Sequence, residues 1–188
     1  MNFKKTADTL TKGAHTLDRD FYTSPQILNN EYEKIFQSKW ICVGRSEELT
    51  EIGQYKTINL GYESVIILKD KEKTIKAHYN ICRHRGTRIC KESVGKFSKS
   101  IQCGYHGWTY SLDGKLIGAP HMDSVENFNK NDYSMFPVLV KDWEGFIFIN
   151  LSDEPEDFDQ TFSSIKGRFS NWNISDLKTL ETKEYEVK

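Results

Sequence analysis

Two short motifs in this chain bring cysteine and histidine side chains together. The first holds Cys82 and His84 in the string Cys-Arg-His-Arg-Gly, and the second holds Cys103 and His106 in the string Cys-Gly-Tyr-His-Gly-Trp. Thiolates and imidazoles are ligands for zinc, for non-haem iron and for iron–sulfur clusters. The motifs therefore predict a metal centre with two sulfur and two nitrogen ligands.

The order of the ligands separates the two kinds of centre that use such a set. Structural zinc sites usually pair like with like, as C-x₂₋₄-C and H-x₃₋₅-H. Here each motif mixes a cysteine with a histidine, which is what a Rieske [2Fe–2S] cluster needs, because cysteines hold one iron and histidines the other. Neutral imidazoles leave this cluster less negative than an all-cysteine cluster, so its reduction potential is higher. The pattern favours the cluster over zinc and predicts one-electron transfer.

The two motifs resemble the amino-terminal region of Rieske oxygenase α-subunits, the non-haem iron oxygenases that hydroxylate rings or demethylate amines. Leu112-Asp-Gly-Lys-Leu, Trp40-Ile-Cys-Val-Gly-Arg and Trp143-Glu-Gly-Phe-Ile also resemble that family, and the similarity runs from about Leu17 to Leu151. The resemblance implies that Cys82 and Cys103 bind one iron of the cluster and that His84 and His106 bind the other.

Two features of the ligand loops differ from those of relatives. Rieske proteins of cytochrome complexes carry an extra cysteine in each loop, joined as a disulfide, and the corresponding positions here are Thr87 and Tyr105. The resemblance is therefore to the lower-potential oxygenase or ferredoxin type. Gly104 stands where many relatives have proline, which should loosen the second loop without removing a ligand.

The catalytic iron site of the family requires two closely spaced histidines and a carboxylate. After His106 this chain has only His121, so we assign no catalytic residue and expect the chain alone to be inactive in hydroxylation. Residues 184–188 are typical of the first strand of a further domain. We therefore expect the electron-accepting part of an oxygenase whose mononuclear Fe(II) lies in an absent catalytic domain.

The expected organisation has three parts. An amino-terminal arm and helix occupy residues 1–39. The Rieske domain follows over 40–151, with a cluster-binding subdomain at about 80–120. A linker and the start of the absent catalytic domain occupy 152–188.

Composition limits the classes of partner and compartment. With 188 residues and a net charge of −1, the chain is long enough for one cored domain and has no bulk attraction for nucleic acid or membranes. It has no apolar run long enough to cross a bilayer and no apolar leader, so a cytoplasmic location is expected. Of the two remaining cysteines, Cys42 is predicted to be a buried core thiol, and Cys90 is assigned no metal role.

Hydrophobic periodicity predicts a mainly β fold. Ser24-Pro25 is typical of a helix start, and apolar residues at helical spacing predict an amphipathic helix from Pro25 to about Lys39. Short β-branched runs predict strands at 55–60, 64–68, 74–79 and 146–151, and Asp113-Gly114 predicts a hairpin turn. We expect an antiparallel β-sandwich, and the resemblance implies the same fold with the cluster at the tip of the subdomain. A short helix near 158–169 is expected to present its aromatic residues to the absent domain.

Several residues near the motifs admit two interpretations. Trp108 either shields the cluster or packs the subdomain core, and His78 is interpreted as a structural histidine on a strand. The segment between the motifs is basic, with one acid, Glu92, against six cations: Arg83, Arg85, Arg88, Lys91, Lys96 and Lys99. These cations either steer an acidic ferredoxin or flavin reductase to the cluster or form a solvated loop without a partner.

Three functions stay open. The first is the Rieske domain of an oxygenase that passes electrons from a ferredoxin or flavin reductase to a mononuclear iron. The second is a free-standing Rieske ferredoxin, and the third is a zinc-binding interaction module. The resemblance implies a ring-like, trimer-like homo-oligomer for the full-length protein.

Overall fold

The structure is a computed structural model that describes residues 16–183, 185 and 186. Most of the predicted amino-terminal arm, including His15, lies outside the described residues, as does part of the strand predicted at 184–188. None of the helices in the described part of the chain has both the length and the apolar character that a bilayer crossing needs.

Two antiparallel sheets form the molecule. The larger sheet has seven strands in the order β1-β10-β9-β4-β3-β2-β5, and the smaller sheet has the order β6-β7-β8. The strands are β1 (Ile41–Arg45), β2 (Gln54–Leu60), β3 (Glu63–Lys69), β4 (Ile75–Tyr79), β5 (Val94–Lys96), β6 (Ser100–Gln102), β7 (Thr109–Ser111), β8 (Leu116–Gly118), β9 (Pro137–Trp143) and β10 (Phe146–Asn150). The predicted mainly β, antiparallel fold is confirmed.

Strand β3 joins the two cores of the molecule. Its central residues Val65, Ile66, Ile67 and Leu68 are all fully buried. Successive side chains on a strand point to opposite faces. Val65 and Ile67 therefore pack in the core of the larger sheet, whereas Ile66 and Leu68 pack in a second core with the small sheet. A continuous apolar run is expected for a strand that is covered on both sides.

The helices are short and lie at the two ends of the chain. They are α1 (Asp20–Thr23), α2 (Pro25–Glu31) and α3 (Phe158–Thr161), with a π-helical turn at Tyr32–Phe36 and 3₁₀ turns at Ser46–Glu48, Lys130–Tyr133 and Ile174–Asp176. As predicted, Ser24 caps α2 and Pro25 is its first residue. The helical segment ends at Phe36, three residues before the predicted end, in a π turn where Tyr32 contacts Phe36 and Tyr62.

Two expectations about side-chain environment are wrong. Cys42 is exposed, because β1 is an edge strand whose bulge between Cys42 and Gly44 leaves this side chain outside the core. The aromatic residues after the acidic linker pack on this domain's own strand β10: Phe158 and Phe162 lie 5.3 and 4.9 Å from Phe148, ring centroid to ring centroid. Phe158 and Phe162 are therefore not an open surface for another domain, although Phe169 in the same segment is 42% exposed.

A buried arginine holds the carboxy-terminal segment against the sheet. The Arg45 guanidinium stacks over Phe146 and donates hydrogen bonds to the carbonyls of Glu144, Ile174 and Leu177. Beyond this point, the Thr179 amide donates to the Glu47 carboxylate at 2.7 Å. These bonds fix the path of the chain at residues 174–179.

His78 lies between the two sheets, under the turn that joins β7 and β8. Its Nε2 is 3.4 Å from the Leu112 carbonyl oxygen, and its buried Nδ1 has no hydrogen-bond partner among the described residues. Gly114, at φ +87°, sits so close that a Cβ there would lie 2.6 Å from the imidazole Cε1. The prediction of a structural histidine agrees with this position.

We expect His78 to make the fold acid-sensitive. Burial lowers the pKa of His78; the Leu112 carbonyl and Asp113 oppose this, and Lys76 adds to it. Because the unfolded-state pKa, about 6.5, is the higher one, the unfolded chain takes up the proton first. Stability is then lost as pH falls below about 6.5. Urea unfolding at about pH 7 and about pH 5 should show that the wild type has a smaller free energy of unfolding at the lower pH. In His78→Gln the difference between the two pH values should be smaller. The exposed His121→Gln control should keep the wild-type loss, and equal losses in wild type and His78→Gln would contradict the assignment.

Candidate metal centre

Two loops of the same construction carry the predicted ligands. The first loop follows β4 and the second joins β6 to β7. In the first, the Gly86 amide donates to the Cys82 carbonyl at 2.9 Å; in the second, Gly107 donates to Cys103 at 3.1 Å. Both glycines have left-handed φ values, +69° and +72°, that other residues rarely adopt. The glycine in each motif is therefore required by the turn that presents the ligands.

The structure arranges the four predicted ligands as two pairs. Cys82 and Cys103 are each only 2% exposed and belong to the same buried cluster, and Cys103 helps to raise the pKa of the Cys82 thiol. The rings of His84 and His106 lie with centroids 4.7 Å apart and planes at 77°. The sulfur pair is thus buried, while the imidazole pair is half-buried beside it.

This donor set suits a binuclear centre. In the described part of the chain, no group of three or more His, Cys, Asp or Glu side chains gathers around one point. The ligands are arranged instead as a thiol pair and an imidazole pair. Burial raises the pKa of Cys82, so the thiolate form needs the positive charge of a metal ion in contact with it. Burial, the neighbouring His106 and Arg85 lower the pKa of His84, which favours the neutral imidazole that can bind a metal.

Trp108 packs directly against one candidate ligand. Its indole is 1% exposed and stacks on the His84 ring at 4.8 Å with planes 14° apart. Phe128 and Tyr133 contact the indole edge-on at 5.8 and 5.6 Å. The interpretation of Trp108 as a core residue is confirmed, and its stacking also fixes the plane of the His84 ring. Shielding of the cluster by Trp108 stays a prediction.

Tyr110 is a site residue to which the sequence assigned no role. Its hydroxyl is 3.3 Å from Cys82 Sγ and accepts a hydrogen bond from the Arg83 amide at 3.1 Å. Burial raises the pKa of Tyr110, so the hydroxyl keeps its proton. Because the amide occupies the oxygen as acceptor, the hydroxyl proton is free to point at the sulfur. The sequence signal was alternation in extended chain, since Tyr110 in β7 and Trp108 just before it are two residues apart and both are buried.

The backbone amides of the two ligand loops have several kinds of acceptor. The Arg83 amide donates to the Tyr110 hydroxyl, and the His84 amide lowers the pKa of the Cys82 thiol. The Gly86 and Gly107 amides, however, close their turns onto carbonyl oxygens. In each ligand loop the glycine amide therefore stabilises the turn itself and does not donate to a sulfur.

Polar side chains fix the first loop from both sides. Arg83 turns away from the site, donates to the carbonyls of Ser134 and Asp132, and lies 3.9 Å above the Phe136 ring. Buried Asn80 accepts from the Cys90 amide and donates to the Cys90 carbonyl, both at 2.8 Å. Cys90 itself is buried beside Tyr55, and burial raises its pKa to about 11. Its thiol faces Tyr55.

Comparison with known proteins identifies the same region. The family model described as Rieske [2Fe-2S] domain matches residues 39–129. The glycine betaine monooxygenase oxygenase subunit of Chromohalobacter salexigens is 35% identical over 92% of this chain and 39% of its own length. The carnitine monooxygenase oxygenase subunit of Acinetobacter baumannii is 41% identical over 74% of this chain and 38% of its own length.

A solved structure has the same fold. The apo form of a quaternary ammonium Rieske monooxygenase superposes with a TM-score of 0.81 at 36% identity, covering 88% of this chain and 49% of that one. The present chain therefore spans less than half the length of the relatives it matches.

Proposed function

We propose, from the premise that this chain belongs to the Rieske [2Fe–2S] family and corresponds to the amino-terminal part of a Rieske oxygenase subunit, that Cys82, Cys103, His84 and His106 hold the cluster. The two cysteines bind one iron and the two histidines bind the other. The observation that supports this assignment is the buried thiol pair beside the imidazole pair with rings 4.7 Å apart. When bound, the cluster accepts and releases one electron.

The chain's own residues orient and tune this site. Trp108 stacks on His84 and holds its plane, while the Arg83 side chain anchors the loop on the carbonyls of Ser134 and Asp132. Tyr110 directs its hydroxyl proton to the Cys82 sulfur. Side chains locked by packing and hydrogen bonds reorganise little when charge changes, which is what electron transfer requires.

The proposed whole protein is an oxygenase that acts on a quaternary ammonium compound. Electrons pass from a ferredoxin or flavin reductase through the cluster to a mononuclear non-haem iron outside the region described here. Support comes from relatives named for carnitine and glycine betaine. A free-standing ferredoxin is less favoured, because the similarity to oxygenase subunits covers the chain well beyond the cluster loops.

Three further elements belong to this proposal. The division into 1–39, 40–151 and 152–188 places the ligands in the middle part. The full-length protein is a trimer-like homo-oligomer. It works in the cytoplasm, because disulfides are a feature of oxidising compartments and the four cysteines are all free in the described part of the chain.

Metal and sulfide analysis tests the cluster directly. Protein purified without oxygen should contain equal amounts of iron and acid-labile sulfide and should be red-brown. On reduction it should give the electron paramagnetic resonance signal of a mixed-ligand [2Fe–2S] centre. Protein that holds only zinc and cannot be reconstituted with iron and sulfide would refute the proposal. For the whole protein, the reading frame expressed with a reductase should consume glycine betaine or carnitine.

Replacing Tyr110 by phenylalanine should lower the reduction potential. A hydrogen bond to a cluster sulfur stabilises the electron-rich reduced state more than the oxidised state. A bond that is stronger by about 1.4 kcal/mol in the reduced state raises a one-electron potential by about 60 mV, so its loss lowers the potential by that amount. Protein-film voltammetry of the loaded protein measures this shift.

A matched tyrosine in the second loop provides the control. Tyr105 is 60% exposed and its ring contacts that of His106 at a tilt of 35°, and its hydroxyl makes no hydrogen bond with the described residues. Tyr105→Phe should therefore keep the wild-type potential. Equal potentials for Tyr110→Phe and wild type would show that the hydroxyl does not serve the sulfur.

A further inference from the structure

One buried arginine joins three parts of the chain at an end of the larger sheet. Arg45 is the last residue of β1, is 7% exposed, and lies opposite Phe146 of β10, 4.3 Å from the centroid of its ring. Its Nη1 donates to the Glu144 carbonyl, in the turn between β9 and β10. Its Nη2 donates to the carbonyls of Ile174 and Leu177 at 3.0 and 2.6 Å. A buried cation needs such acceptors in place of water, and here the backbone supplies them.

The turn between β9 and β10 is shaped to receive this guanidinium. Its central residues Glu144 and Gly145 have φ values of +50° and +78°, and the hairpin turn of type I′ needs a positive φ at both positions. A Cβ at residue 145 would lie 2.7 Å from Arg45 Nη2. Glycine at this position therefore serves the turn and also leaves room for the close approach of Arg45.

The residues that follow β1 hold the same segment a little further on. The Thr179 amide donates to Glu47 Oε1 at 2.7 Å, and the Thr179 hydroxyl donates to Glu48 Oε1 at 3.2 Å. The Glu48 carboxylate is fixed in turn by Lys56 Nζ at 2.6 Å. We call Arg45, Glu47 and Glu48 the carboxy-terminal clamp.

The clamp is the last attachment of this segment within the described residues. Residues 175–183 are all exposed, and Leu180 is 99% exposed. The last hydrogen bonds that join the described part of the segment to the strand region are those of Thr179. The ion pair of Lys183 with Glu181 stays inside the segment. The direction of the chain beyond Thr179 therefore depends on the clamp.

The clamp and the metal centre lie at opposite ends of one strand. Strand β9 begins at Pro137, directly after Phe136, whose carbonyl accepts from the Tyr79 amide just ahead of the first ligand loop. The strand ends at Trp143, directly before the turn that Arg45 binds. A strand of this length spans about 20 Å. Because β9 lies between β10 and β4 inside the sheet, it links the two ends rigidly.

We propose that Arg45 is a positioning residue: through the clamp, it fixes the direction in which the chain continues from Thr179 relative to the metal centre. The proposal rests on the electron-transfer function proposed above, because a centre that passes electrons within a larger protein must lie at a set distance from its acceptor. Without the clamp, an exposed segment samples many directions and gains conformational entropy. Arg45 contacts none of the four candidate ligands within the described residues, so it acts on the position of the cluster and not on its potential.

Residual dipolar couplings of backbone amides test the fixed direction in the 188-residue chain, with or without a cluster. In a weakly aligned wild-type sample, the couplings of Asp176, Leu177 and Thr179 should fit the same alignment tensor as the strand amides. Arg45→Met keeps a long side chain against Phe146 but has no donor. In this variant the three couplings should fall toward zero, while those of β9 and β10 stay on the tensor. Couplings that are unchanged in Arg45→Met, or already averaged in wild type, would overturn the proposal.

A second variant and a matched control complete the experiment. Glu47→Ala removes only the outer contact from a partly exposed side chain, so the Thr179 coupling should fall while the Leu177 coupling is kept. If Arg45→Met does not fold, an unchanged Thr179 coupling in Glu47→Ala overturns the clamp. Arg168→Met makes the same chemical change at an exposed arginine of the same segment, whose side chain makes no hydrogen bond within the described residues, and it should keep every coupling. An equal loss in Arg168→Met and Arg45→Met would assign the effect to any lost cation and overturn the proposal.

In the whole oxygenase, a kinetic measurement separates position from potential. Stopped-flow absorption follows the reduced cluster as it passes one electron to the mononuclear iron. This step should be slower in Arg45→Met than in wild type, whereas voltammetry should give both proteins the same cluster potential. An unchanged rate, or a shifted potential, would overturn the positioning role. A protein without a cluster would refute the proposed function, and the dipolar couplings would still decide whether the clamp fixes the chain.

Discussion

Replacing Cys103 by alanine is expected to abolish binding of the [2Fe–2S] cluster. Cys103 is 2% exposed and its thiol is the partner of the Cys82 thiol, so the variant leaves one iron with a single protein sulfur. Iron and sulfide should be absent from the purified variant. The visible absorption of the cluster should be lost with them.

The chain supplies its own controls for this experiment. Cys90 is also buried, at 5% exposed, but it lies beside Tyr55, and Cys42 is exposed on the edge strand. Cys90→Ala and Cys42→Ala should keep full iron and sulfide content. Far-ultraviolet circular dichroism shows whether each variant is folded. A Cys103→Ala protein that keeps its cluster, or a folded Cys90→Ala protein that loses it, would contradict the ligand assignment.

The strands that form the sheets could be predicted because their sequence pattern is local. Strands predicted at 55–60, 64–68, 74–79 and 146–151 occur as β2, β3, β4 and β10 with ends shifted by one residue at most. The β-branched residues within these strands and the turn residues between them predict the same strand bounds, and neither signal depends on distant contacts. The Asp113-Gly114 turn likewise joins β7 to β8.

Features that depend on strand order could not be read from the sequence. Trp40-Ile-Cys-Val is apolar, and its burial depends on where the strand lies in the sheet. As an edge strand with a bulge, β1 leaves Cys42 outside. The packing partner of Phe158 and Phe162 could not be predicted either. Periodicity shows that one face of a helix is apolar, but it does not show which surface covers that face. Here strand β10 covers it through Phe148.

The candidate ligands could be named from the sequence, whereas the residues that contact them could not. The Cys-x-His and Cys-x-x-His strings indicate metal ligands, and the structure places them as a buried cysteine pair and a histidine pair. The hydroxyl of Tyr110 reaches Cys82 across 28 residues of sequence, and the carbonyls that hold Arg83 are 49 and 51 residues away. Such partners are set by the way the small sheet packs on the first loop, which only the folded chain shows.

Replacing Trp108 by alanine is expected to destabilise the fold by about 3–5 kcal/mol, the usual cost of removing a buried tryptophan. The indole is 1% exposed and contacts His84, Phe128 and Tyr133, so its loss opens a cavity between the second core and the metal centre. Chemical unfolding of the cluster-free proteins gives the free energy. The variant should also lose its cluster faster than wild type in the presence of a chelator, since His84 loses the ring that fixes its plane.

Two further variants separate packing from ligand orientation. Trp172 is 71% exposed, so Trp172→Ala should change the free energy of unfolding by less than about 0.5 kcal/mol. Trp108→Phe keeps an aromatic ring against His84 while leaving a smaller cavity, so it should recover most of the cluster's resistance to chelation although part of the stability stays lost. If Trp108→Phe and Trp108→Ala lost the cluster at the same rate, the stack on His84 would have no orienting role. The indole would then serve the core alone.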